Sequence, residues 1–444
     1  MYYLLFHLIV VPPILCGLAR KMYSRPLGAF FLPGLLLKIA AGWAVTAVFL
    51  YYYGGSDVAH TFEQSLLLRD ILIESPLRFW QFPYDMPQGD FYYLHGFPDL
   101  TPSFVFTCKI IAIVSLITGD NIWLVSIWFS AFSFVGLWLF GSELCRTDSG
   151  LKRPVIIAFF LVPSVAFWSA GLLKETLLWG AMGLLFWAIL RLAVLFSHVN
   201  IQPDGCNIAH YYLFPSQQPH KRLIRMHVAA LTTIAAIFAW VILQVKYYIF
   251  AAVVLAIAVY LLLQWQKRFW KVFAIAFILL PLLLWGLGKL HPNLSPDALA
   301  VAVHRNYARM VAISDADNII WLDLQPDFIS LISQIPFALK ASFSVPMPWE
   351  SGNLWRKLTG IENLSLLLLA LGIRLPQHRP YPVAEITAAV ILTVTLAALL
   401  TLSSPNIGAL ARYKVSYLPL LWLLVCSSNC FVRTLPFQKL KTLF

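Results

Sequence analysis

The chain has 444 residues, 60% hydrophobic and 12% charged, with a mean hydropathy of +0.76. Soluble domains are about 45–50% apolar and about 25% charged, so this chain has too few polar groups to cover a water-soluble globule, and it is neither disordered, collagen-like nor disulfide-dense. In a polytopic membrane protein the net charge of +12 asks where each charge sits rather than signalling nucleic acid as a partner.

A helical span needs about 20 mostly apolar residues. In chain order such stretches lie near 2–19, 28–53, 122–144, 154–173, 176–198, 228–244, 248–265, 272–290, 360–374, 383–402 and 415–431, which predicts about 11 transmembrane helices in an all-α chain. A further apolar piece, 104–118, is short and contains Lys109. The clusters Arg20/Lys21/Arg25, Arg146/Lys152/Arg153, Lys221/Arg222/Arg225, Lys267/Arg268/Lys271, Arg374/Arg379 and Arg433/Lys439/Lys441 hold more than half of the Lys and Arg. All of them face the cytoplasm only if 104–118 does not cross. That segment is therefore predicted to be a re-entrant or juxtamembrane helix, with the N-terminus outside. The first span lacks a basic leading region and reads as a span, not a cleavable signal peptide. Lys38 and Arg191 fall within spans and are expected to snorkel toward the cytoplasmic face.

Residues 1–444 read as one integral-membrane domain with two long outer loops, 54–121 and 291–359, which are expected to carry short interfacial helices and the function. The first loop is acidic, with Asp57, Glu63, Asp70, Glu74, Asp85, Asp90, Asp99 and Asp120 against Arg69, Arg78 and Lys109. No disulfide is expected, and no CxxC, HExxH, Walker or GxGxxG pattern occurs, which argues against nucleotide hydrolysis and dinucleotide binding.

Four segments carry chemistry. The second span ends Tyr51-Tyr52-Tyr53-Gly54-Gly55-Ser56-Asp57. Its tyrosines anchor it at headgroup depth, and Asp57 is presented just outside the hydrocarbon, either as a catalytic carboxylate or as the cap of a helix starting near Val58. Lys174-Glu175 stands at the next outer turn, costly in that setting unless it faces a cavity, or else a local ion pair. Between Tyr84 and Asp99, Asp90 and His95 lie among aromatics and glycines, a composition that suits sugar binding and equally suits a juxtamembrane loop. Arg412 and Lys414, flanking Tyr413, break the positive-inside pattern, and a guanidinium at that depth matches a lipid phosphate or simply anchors in headgroups. His304, Arg305, Arg309 and Lys340 add cations to the second loop.

Taken together, these features resemble the GT-C class of integral-membrane glycosyltransferases, especially bacterial members that use polyprenyl-phosphate sugars. The resemblance rests on the span ending Tyr-Tyr-Gly-Gly-Ser-Asp57, the non-crossing segment ending Thr118-Gly119-Asp120-Asn121, the stretch from Pro163 through Trp168-Ser169 to Lys174-Glu175, and Ala411-Arg412-Tyr413-Lys414 with Pro419. The chain departs from that pattern in an extra leading span, in Lys414 as the third residue of an Arg-Tyr-Arg motif, and in lacking an Asp-x-Asp pair beside Asp57. The resemblance implies transfer of a sugar from a polyprenyl-phosphate-linked donor to a glycan or lipid acceptor at the outer face of a bacterial inner membrane. It implies Asp57 as base, Glu175 as a second acid, and donor or acceptor contacts from Lys174, Asp90, His95, Arg305, Arg412 and Tyr413. A divalent metal is compatible with it, though no residue is assigned as a metal ligand. Two alternatives stay open. One is a polysaccharide polymerase or ligase relying on His304, Arg305 and Arg309. The other is a flippase or transporter of lipid-linked sugars.

Overall fold

A computed structural model describes residues 2–53, 57–82, 101–199, 221–265, 295–373 and 383–429, with isolated positions 286, 289 and 432. In chain order the first helices are α1 (Tyr2–Ile9), α2 (Val11–Met22), α3 (Phe31–Ala47), α4 (Asp57–Glu74), α5 (Pro76–Gln81), α6 (Pro102–Thr118) and α7 (Ile122–Thr147). They are followed by α8 (Lys152–Ile156), α9 (Pro163–Trp168), α10 (Lys174–Val199), α11 (Lys221–Val245), α12 (Tyr247–Trp265) and α13 (Pro296–Ala312). The last are α14 (Phe328–Ser333), α15 (Ile335–Ser344), α16 (Leu354–Leu371), α17 (Val383–Ser403), α18 (Ile407–Tyr413) and α19 (Leu418–Ser428). Among the described residues there is no strand, only isolated bridges joining Ile319 to Asn406 and Ile373 to Asn429.

Seven helices are long and apolar enough to cross a membrane: Leu5–Met22, Gly28–Tyr52, Ile122–Thr147, Lys174–Phe196, Arg225–Val245, Tyr247–Trp265 and Val383–Ser403. The pair Ile407–Ser416 and Leu418–Ser428, bent by 66°, makes an eighth if it counts as one span. The chain is an all-α multi-pass membrane protein. Three of the eleven expected spans are not among these. The stretch 154–173 is broken, because Pro163 forces the residue before it out of helical geometry. Val162 accordingly sits at φ −62°, ψ 121°, between a wide π turn at Ile157–Leu161 and α9. The stretch 360–374 begins inside α16 and outlasts it, and the sequence of that helix carries Arg356, Lys357 and Glu362. Nearly all of 272–290 lies outside the described residues. The segment 104–118 is α6, a 17-residue apolar helix shorter than the seven.

By its contacts the chain divides into two compact units, Met1–Ser149 with Ser169–Lys246, and Gly150–Trp168 with Tyr247–Phe444. In the first unit α7 crosses α10 at backbone contact. A Cβ added to Gly136 would stand 2.3 Å from the Gly180 carbonyl oxygen, and one added to Gly183 would stand 2.3 Å from the Gly136 carbonyl carbon. Without a hydrophobic drive between helices in lipid, such small-residue seams let van der Waals contact hold a bundle together. Asn121 fixes the start of α7 by accepting hydrogen bonds from Trp123 N (3.0 Å) and Leu124 N (3.2 Å).

Both cations within the predicted spans have partners inside the first unit. Lys38 is 2% exposed and donates to Ser169 Oγ at 2.5 Å. Arg191 pairs with the buried carboxylate of Glu143 at 2.7 Å. Each finds a polar partner inside the unit, which replaces the water it would otherwise reach for.

In the second unit α17 is the hub, packed by α12, α13 and α15. Ala300, Val303 and Tyr307 of α13, Leu324, Leu331 of α14, Ala338 of α15 and Leu402 of α17 form one apolar cluster. Residues 295–359 thus hold helices α13 to α15 and the start of α16, in keeping with the short helices expected of that loop.

Candidate functional site

The polar groups of the first unit gather where helix ends meet. α4 begins at Asp57, and positions 57, 60 and 64 share one helix face by the 3.6-residue repeat. The side chain of Asp57 lies outside the described residues. His60, one turn in, stacks on Phe104 with ring centroids 6.5 Å apart and planes 22° from parallel. Phe104 lies in the first turn of α6, which is tied to α4 by the Cys108 thiol donating to the Thr61 carbonyl at 3.7 Å. The same turn of α6 is tied to the end of α11, where Ser103 Oγ donates to the Val245 carbonyl at 2.7 Å.

Lys174 and Glu175 open α10. Consecutive helix residues point about 100° apart, so the two side chains leave the helix in different directions. Glu175 is wholly buried and pairs with Lys246, just past the end of α11, at 2.8 Å. The ammonium of Lys174 lies over the Phe104 ring, 5.6 Å from its centroid. His60, Lys174, Glu175 and Lys246 therefore stand around the first turn of α6. The buried Nε2 of His60 and the buried Oγ1 of Thr176 have no hydrogen-bond partner among the described residues.

Further along α4, Arg69 bonds Asp70 at 2.9 Å and also Asp120 in the turn after α6. Burial pulls the Arg69 guanidinium down, but these two carboxylates outweigh it and hold it above the ordinary arginine value. This closes α4 against the far end of α6.

The remaining expected site residues lie elsewhere. Asp90 and His95 are outside the described residues. Arg305 is exposed on α13, and neighbouring His304 is turned to the Leu324 carbonyl at 3.0 Å. Arg412 and Tyr413 are partly buried in α18. Lys414 is not the outward cation expected. It is 3% exposed and donates to the Val345 carbonyl at 2.7 Å. Asn363 donates to the next carbonyl, Pro346, at 2.8 Å, and Arg356 pairs with Glu350 at 3.2 Å. A Cβ on Gly360 would stand 2.6 Å from the Met347 carbonyl carbon. Lys414 thus belongs to a set of contacts that fix the chain over 345–350, leaving Trp349 at 73% exposure.

Sequence reasoning missed His60, Phe104 and Lys246. Lys246 carried a readable signal, since it is a lone cation between two spans on the same expected side as Glu175. His60 carried a weaker one, the three-residue spacing from Asp57. Phe104 had none. Among the described residues, no three His, Cys, Asp or Glu side chains are grouped to hold a metal ion.

Fold and site together define a multi-pass membrane protein with a buried ion pair and further titratable groups at one end of a helix cluster. Comparison with protein-family models, with curated proteins and with solved structures finds no match.

Proposed function

We propose that the chain is an integral-membrane glycosyltransferase of GT-C type that moves a sugar from a polyprenyl-phosphate-linked donor to a glycan or lipid acceptor. The observation that carries this reading is the buried Glu175–Lys246 pair beside Lys174 and His60, on the helix cluster whose α4 begins at Asp57. In lipid surroundings a set of ionisable groups this dense is costly and marks a functional site by default.

Phosphate leaves readily once a cation meets its developing charge, so the acceptor hydroxyl is what needs activation. Asp57 is the general base for that hydroxyl. Glu175 acts through Lys246 as a positioning residue rather than as a second free acid. Arg305, Arg412, Tyr413, Asp90 and His95 remain assigned to donor or acceptor contacts, and no residue is assigned to a metal ion. The eleven-span topology, the outward-facing site and the bacterial inner membrane belong to this proposal.

A second reading, a transporter of lipid-linked sugars, is favoured by the break at Val162–Pro163 and by buried Lys38, since transporters place broken helices and polar groups within the membrane. Purified chain in detergent, mixed with candidate polyprenyl-phosphate sugars and acceptors, separates the two. Transfer in the absence of any bilayer supports the enzyme; translocation in vesicles with no transfer product supports the transporter. Mass spectrometry of the lipid-linked sugar that accumulates on gene deletion identifies the donor to use.

A further inference from the structure

We infer that Arg25, Arg146 and Arg191, gathered around Glu143 in the first unit, form a binding site for the phosphate of an anionic membrane lipid. The site is remote from the Glu175–Lys246 pair: Arg191 lies about 24 Å along α10 from Glu175 at the 1.5 Å rise of an α-helix. Nothing in it depends on sugar transfer.

Each cation comes from a different element. Arg25 sits in the turn at 23–27, between α2 and α3. That turn is closed by Arg25 N donating to the Met22 carbonyl at 3.0 Å and Gly28 N donating to the Arg25 carbonyl at 2.8 Å. It closes so tightly that a Cβ on Gly28 would stand 2.2 Å from the Tyr23 carbonyl oxygen. The Arg25 guanidinium lies over the indole of Trp138, 5.9 Å from the ring centroid. That indole is itself anchored, with Nε1 donating to the Leu27 carbonyl at 3.2 Å. Arg146 is in the last turn of α7, three residues past Glu143, and so lies on the same side of the helix. Arg191 comes across from α10, with its Nε 2.7 Å from the Glu143 carboxylate.

The four side chains form one electrostatic group. Arg25 feels the charges of Arg146 and Glu143, and Arg191 feels those of Glu143, Arg146 and Arg25. Three positive charges therefore meet one negative charge. Asp148, which ends α7, lowers the excess only to one if it is counted. Glu143 is buried and engaged by Arg191. Among the described residues, neither Arg25 nor Arg146 has an ion pair, and Nη1 of Arg146 is buried with no hydrogen-bond partner. Burial, and then the charge of Arg146, hold the Arg25 guanidinium below the ordinary arginine value, and Glu143 offsets them only in part.

A basic cluster that only orients a chain needs no such packing, because cations spread out in water satisfy the positive-inside rule equally well. Partly buried guanidiniums held against one another repel, and an anion among them relieves that repulsion. The planar guanidinium fork matches phosphate oxygens two at a time, and Nη1 of Arg146 offers a donor that is already desolvated. Depth supplies the source of the phosphate. Arg25 lies between the membrane-crossing helices Leu5–Met22 and Gly28–Tyr52, Arg146 is next to the end of Ile122–Thr147, and Arg191 is five residues before the end of Lys174–Phe196. Ends of spans lie at headgroup level, where basic pockets between helices take anionic lipids.

The test titrates the full chain in detergent with phosphatidylglycerol and reads the lipid-bound states by native mass spectrometry. Arg25→Gln and Arg146→Gln should each weaken the tightest phosphatidylglycerol association about tenfold or more, the range of a lost charge-assisted hydrogen bond. Arg225→Gln removes an exposed cation at the end of the span Arg225–Val245 that is not one of the four grouped side chains, and it should bind as the unaltered chain does. Undiminished binding in either of the first two, or an equal loss in Arg225→Gln, overturns the proposal. Should a glutamine variant not fold, Arg146→Lys keeps the charge without the fork and should still bind more weakly; unchanged affinity there overturns the proposal as well. Equal binding of phosphatidylcholine overturns the requirement for an anionic lipid. Displacement by equimolar inorganic phosphate overturns a lipid as its source, and phosphatidylglycerol retained against both supports the site.

Discussion

The two units treat their buried lysines differently. In the first, Lys246 meets a carboxylate at the helix ends that also carry His60 and Lys174. In the second, Lys414 donates to a backbone carbonyl and helps fix the chain over 345–350. Along the sequence Lys414, beside Arg412, breaks the positive-inside pattern and looks like an outward cation, whereas Lys246 is not singled out. The difference lies in the partner, not in the lysine.

The largest expected effect separates stability from function in the first unit. Glu175→Ala leaves Lys246 buried without its carboxylate and should cost about 3–5 kcal/mol of stability, read as a fall in thermal unfolding temperature in nanodiscs. The double change Glu175→Leu with Lys246→Leu should recover most of that loss, because apolar replacement of a buried pair is often neutral, yet sugar transfer should stay lost. Recovery of transfer along with stability would show the pair to be structural only and would erase the contrast with Lys414.

Lys414→Met comes next. It strips the Val345 carbonyl of its donor and should cost about 1–3 kcal/mol. Its signature should be local, with faster proteolysis over 345–350 and altered quenching of exposed Trp349. Global loosening with no change at Trp349 would contradict the role given to Lys414. The smallest effect belongs to Arg69→Leu. Its partners are largely exposed carboxylates, and such pairs are worth about 0–1 kcal/mol, with the effect fading in high salt. A salt-independent loss larger than this would mean that α4 depends on Arg69 more than its exposure implies.

Much of the membrane architecture was legible because hydrophobic run length is a strong signal. Helices ran where the apolar stretches did, and α4 began at Asp57, one residue from the expected start. The span count was less legible. Run length does not register that Pro163 bends the chain at Val162, and it passed over the charges gathered in the first half of α16. For Lys38 and Arg191 sequence shows depth but not neighbours; Ser169 and Glu143, distant in the chain, are the partners it could not name. At the candidate site, Glu175 and Lys174 could be named from their cost in the membrane. Their partners could not, since Lys246 and Phe104 approach only through the packing of α11 and α6.

The most direct test of the central claim is sugar transfer by purified chain carrying Asp57→Asn, with insertion and binding of undecaprenyl phosphate checked on the same preparation. The account predicts normal insertion, retained binding of undecaprenyl phosphate, and abolished transfer from the polyprenyl-phosphate donor. Full transfer by that chain would contradict it.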